Sequence, residues 1–104
     1  MSDFADDTKK IDIGNEKFIE IKSELSFEEI LFMTENKKKG EGVLLKGLFP
    51  LMIKDWNLEK DGKKAEVNLE NILKLKKDHV QIISKELMSI ISIELYDKKK
   101  QEIE

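Results

Sequence analysis

The chain has one histidine, no cysteine and no arginine, so few of its side chains could do chemistry. His79 is the single candidate proton carrier or imidazole ligand, and either role needs partners one helical turn away. Its neighbours at that spacing are Leu75, Lys76, Ile82 and Ile83, which supply neither a second ligand nor an orienting carboxylate. Glu28-Glu29 and the acidic residues Asp3, Asp6 and Asp7 offer paired carboxylates, but no nucleophile–base set accompanies them, and they read as solvated surface. Gly40-Glu41-Gly42 is too short to cradle a phosphate and lacks the Lys-Ser/Thr that follows in a nucleotide-binding loop. Asp61-Gly62 resembles the turn of a calcium loop without the oxygen ligands that should follow, so it reads as a plain turn. The expectation is a non-enzyme with no catalytic residue, no cofactor and no metal.

The bulk properties narrow the class further. A chain of 104 residues suits one domain with a modest core. Its net charge of −3 gives no basic field for nucleic acid, and lysine supplies every basic residue. The lysine triplets Lys37–Lys39 and Lys98–Lys100 lie at helix ends without aromatic residues beside them for base stacking. No apolar run approaches the roughly 18–20 residues that span a bilayer. The N-terminal MSDFADDTKK has no apolar core, unlike a signal peptide. These features predict a cytoplasmic protein that engages neither nucleic acid nor membrane.

What must position any functional surface is a mainly α body. Residues 1–10 read as an arm. Residues 11–22 read as a β-hairpin, with Ile11 and Ile13 alternating and Gly14-Asn15 at the turn. Ser26 and Glu29 form a capping-box pattern, and Leu25 with Ile30 a hydrophobic staple, opening a helix to about residue 38. Its spacing predicts that Phe27, Ile30, Leu31 and Thr34 share a face. Residues 43–56 are apolar almost all round and predict a helix kinked or divided at Pro50. A solvated loop over 57–67 precedes a short helix capped by Asn68 and a final helix over about 78–97. The whole is one domain, 1–104, with four or five helices over 26–97.

The helices over 43–56 and 80–95 both carry large apolar side chains over most of their surface, so either one of them is central to the core or an apolar patch is left for a partner or a second copy. The candidate face combines Leu48, Met52, Met88, Ile91 and Leu95, where methionine suits an adaptable contact.

One stretch also carries a resemblance. In residues 54–80, KDWNLEKDGKKAEVNLENILKLKKDHV, Trp56 closes the apolar run, Gly62 makes the turn and Asn68 opens a helix. This cassette resembles the small tail assembly chaperones of long-tailed bacteriophages and prophages. Gly14-Asn15 with KFIEIKSELSFEE is similar to that family's opening hairpin and first helix, and the likeness spans roughly residues 11–95. The resemblance implies a non-enzymatic protein of the host cytoplasm. It would bind the hydrophobic tape-measure protein and keep it soluble while tail-tube subunits, a further candidate partner, polymerise around it. A homo-oligomer is an open alternative. Two other readings stand beside it: a structural tail or head–tail completion protein or other phage interaction protein, and a small nucleic-acid-binding regulator.

Overall fold

Three successive residues with positive φ set the first pairing of the chain. The computed structural model describes the backbone of residues 3–103 and the side chains of residues 3–92. In it β1 (Thr8–Gly14) and β2 (Lys17–Lys22) form an antiparallel hairpin. Gly14 and Asn15 have positive φ at its tip, as the sequence suggests, and Glu16 after them does too. Residues 8–10, expected in the arm, belong to β1.

Two helices follow, α1 (Phe27–Asn36) and α2 (Glu41–Met52). Gly40 joins them at a φ of 97°, a conformation that glycine adopts without steric cost. Gly47 lets α1 and α2 approach closely, since a Cβ there would lie 1.9 Å from the Phe32 ring.

The chain then departs from the sequence expectation. The predicted helix over 43–56 ends at Met52, and Ile53–Trp56 forms β3 beside β2, giving an antiparallel sheet of order β1-β2-β3. Pro50 already leaves the helix without one amide donor, so ending two residues later sacrifices little. The β2 edge, which would otherwise carry unpaired backbone groups, gains a partner. A bulge opposite Glu20 and Ile21 absorbs an extra residue, so Ile53 and Trp56, three apart, can both enter the core while Lys54 stays exposed.

The expected solvated loop 57–67 contains a small hairpin of β4 (Glu59–Lys60) and β5 (Lys63–Lys64). Asp61 and Gly62 at its tip both have positive φ, as a two-residue hairpin turn demands. Next come α3 (Leu69–Ile72) and α4 (Lys77–Ile103). The Asn68 side chain accepts the Asn71 amide at 2.9 Å, so Asn68→Ala should lower stability by about 1 kcal/mol in denaturant titration. Equal midpoints would show that another acceptor takes over that amide.

The fold is therefore a small α/β domain, not the expected mainly α (all-alpha) domain with one amino-terminal hairpin. Ile11, Ile19, Ile21, Ile53 and Trp56 from the sheet meet Phe49 and Met52 from α2, Ile72 from α3, and Ile83, Leu87 and Ile90 from α4. The opposite sheet face is polar. There Thr8 donates to Glu20 at 2.7 Å, and the Lys10 ammonium lies 4.6 Å from the Phe18 ring centre. Four isolated residues could not have signalled this layering, because strand partners come from distant parts of the chain.

Candidate functional site

Helix α1 is anchored by a charge rather than by its largest apolar residues. Glu29 is wholly buried, and the Lys22 ammonium, itself 6% exposed, lies 2.5 Å from Oε1. The Ser26 amide donates to the same oxygen at 3.0 Å, and the Ser26 hydroxyl donates to Oε2 at 2.8 Å. Lys22 also donates to that hydroxyl at 2.9 Å. The carboxylate thus reaches back to the helix start as a capping box requires, and in addition carries a buried ion pair. Burial pushes the Glu29 pKa upward, but the Lys22 ammonium and the two Ser26 donors outweigh it and hold the carboxyl below its ordinary range.

This anchoring sets the rotation of the helix. Glu29 points inward and Phe32, Met33 and Asn36 follow it at helical spacing, each partly buried. The shared face read from the sequence is turned outward. Phe27 is 77% exposed, Ile30 and Leu31 are each 45% exposed, and Thr34 is exposed beside them. Leu25 is buried as a staple would require, but Ile30 is not its enclosed partner. Apolar residues occupy both faces of this helix, so periodicity alone could not choose between them. The signal that could have chosen is the triad of Lys22, Ser26 and Glu29, whose mutual reach requires Glu29 to face the sheet.

The residues proposed from sequence as one binding face do not form one. Leu48 and Met52 are buried, the latter within the core. Ile91 is half-buried against that core, and Met88 is exposed. Leu95 lies outside the residues whose side chains are described. Leu48 and Met52 sit one turn apart on α2, which α1 and β3 cover, and this is why they are lost to solvent. Trp56, Gly62 and Asn68 do form one structural joint. The Trp56 indole donates to the Ala65 carbonyl at 2.7 Å, tying the base of the Gly62 hairpin to the sheet just before the Asn68 cap.

A second feature is a cleft of about 580 Å³ between the β1–β2 turn, the β4–β5 hairpin and the α3–α4 junction. Trp56, Leu58 and Leu75 give it an apolar lining. Lys17, Lys60, Lys74 and Lys76 also line it, against the single carboxylate of Glu59. His79 borders it, and its buried Nδ1 has no hydrogen-bond partner among the described residues. Among those residues, no group of three or more histidine, cysteine, aspartate or glutamate side chains is placed to hold a metal ion. What the cleft offers a ligand is apolar contact within and positive charge around it.

No family model, curated protein or solved structure matches the chain. Its surfaces must therefore be read from their own chemistry. Among the described residues no helix is long and apolar enough to cross a membrane. The α1 face and the cleft are the two places where the structure concentrates binding character, one apolar and one cationic.

Proposed function

We propose that this chain is a binding protein of the tail assembly chaperone type, and that α1 holds an apolar helical segment of the tape-measure protein. The observation that carries the reading is the outward stripe of Phe27, Ile30 and Leu31. An aromatic and two branched aliphatic side chains at i, i+3 and i+4 match the way one amphipathic helix recognises another. Their exposure is a built feature, because the buried Lys22–Glu29 pair prevents the helix from rolling them inward. A client with long apolar stretches would gain cover from this stripe, and the 39% of charged residues would keep the complex in solution.

The test is co-expression with a tape-measure protein of a long-tailed phage, comparing wild type with Phe27→Asp and Leu31→Lys. Both residues are solvent-facing, so each variant should melt within about 0.5 kcal/mol of wild type. Aspartate at the first position of α1 also complements the helix dipole. The expected result is that wild type co-purifies with soluble client, whereas the folded variants lose that client to the pellet. Undiminished capture by both variants would remove α1 from the mechanism. Met52→Lys serves as the contrasting substitution, and should unfold the domain by placing an unpaired ammonium in the core.

A further inference from the structure

We infer that the lysine-lined cleft receives the acidic segment Asp3–Asp7 of a second copy of this chain, with Phe4 entering between the half-buried Leu58 and Leu75. Two kinds of complementarity support this occupant. The segment DFADD carries three carboxylates around one aromatic residue, and Phe4 is 78% exposed. The cleft presents four lysines around an apolar lining, in a chain whose net charge is −3. An aromatic anchor in an apolar pocket with charges at its margin is the arrangement that carries most of the energy of small interfaces.

The lysines remain available to such a segment. Lys60 and Lys76 are exposed and make no ion pair among the described residues. Lys74 meets only the exposed Glu70 at 3.4 Å, whereas Lys17 donates to the Asn57 carbonyl at 3.2 Å and stands 3.9 Å from Glu59, so it serves at the margin. Exposed pairs of this kind exchange partners at little cost.

The segment cannot reach the cleft of its own chain. The Asp7 carbonyl accepts the Ser23 amide at 2.9 Å, which fixes the segment at the Thr8–Lys22 end of the hairpin. Gly14 and Lys17, which line the cleft, pair at the other end. The seven residues of β1 separate the two ends by about 20 Å, whereas the three residues from Asp7 to Phe4 span at most about 11 Å. A second copy must supply the segment, either one-way, which generates a chain or ring of subunits, or by reciprocal exchange in a two-fold dimer.

Sedimentation velocity on the full chain tests this, using wild type, Phe4→Ser and the double variant Lys60→Glu/Lys76→Glu. All three substituted residues are exposed, and circular dichroism melting checks that the fold is kept. Wild type should show a weight-average mass that rises with concentration to about twice the monomer or more, and that falls with added salt. Each variant alone should remain a monomer. An equimolar mixture of the two should form a complex that stops at two chains, since one variant retains an intact cleft and the other an intact segment. A wild-type monomer at every concentration, wild-type association by either variant, or no complex on mixing would each overturn the inference. Leu31 lies on the α1 face away from the Asp3–Ala5 segment, which borders Phe27, so Leu31→Lys should associate as wild type does, and its loss of client capture would leave this result untouched.

Discussion

Glu29→Ala is expected to destabilise the domain by about 3–5 kcal/mol, because it strands the Lys22 ammonium in a site that water barely reaches. A domain of this size has only about 5–15 kcal/mol in total, so the melting temperature should fall by tens of degrees. The cost comes from the charge left behind, and a paired substitution separates that from any net worth of the ion pair. Lys22→Met/Glu29→Leu, which removes both charges and fills the space, should melt near wild type or above it. The sign of the pH dependence follows from the lowered Glu29 pKa. A group held below its unfolded value stabilises the fold fully above that value, near pH 4.3 for glutamate, and the contribution fades as pH falls through the folded pKa. Calorimetric melts from pH 7 downward should show wild type losing stability in acid, with a shallower loss in the double variant. If Glu29→Ala melts like wild type at pH 7, the ammonium has found water and the pair does not hold α1 in place.

Trp56→Ala should cost a similar amount, about 3–5 kcal/mol, by emptying the space beneath the β4–β5 hairpin. The ring is 1% exposed, and its indole nitrogen is the donor that satisfies the Ala65 carbonyl. Trp56→Phe keeps much of the apolar contact and removes that donor, so it isolates the hydrogen-bond share, about 1–3 kcal/mol for a carbonyl left unpaired. Denaturant titration gives both values. The single tryptophan also reports directly, since its fluorescence should be blue-shifted in the native state and shift red on unfolding. Equal midpoints for wild type and Trp56→Ala would place the ring at the surface, and the apolar lining of the cleft would need another source.

These two side chains mark the boundary between what local sequence decides and what the fold decides. Asp61-Gly62, the Asn68 cap, the Glu29 carboxylate closing on Ser26 and the Ile11–Ile13 alternation are each set by residues within a few positions of one another. Such features depend on steric limits at φ and ψ and on short hydrogen-bonded rings, and the sequence determines them unaided. The exclusion of Trp56 from water is also legible, since a lone large ring at the end of an apolar run has few other places to go. β3 is different. Ile53–Trp56 is too short for periodicity to separate strand from helix, and only the waiting edge of β2, some thirty residues earlier, makes the strand the better state. The rotation of α1 is a second decision of this kind. Phe27, Ile30 and Leu31 could have filled a core as well as Phe32 and Met33, and hydrophobicity ranks the two faces nearly equally. The fold ranks them, because α2 brings Gly47 against Phe32 while β2 brings Lys22 within reach of Glu29. The tertiary structure therefore chose which apolar side chains this protein buries and which it leaves exposed, because rolling α1 the other way would strand the Lys22 ammonium unpaired where water barely reaches.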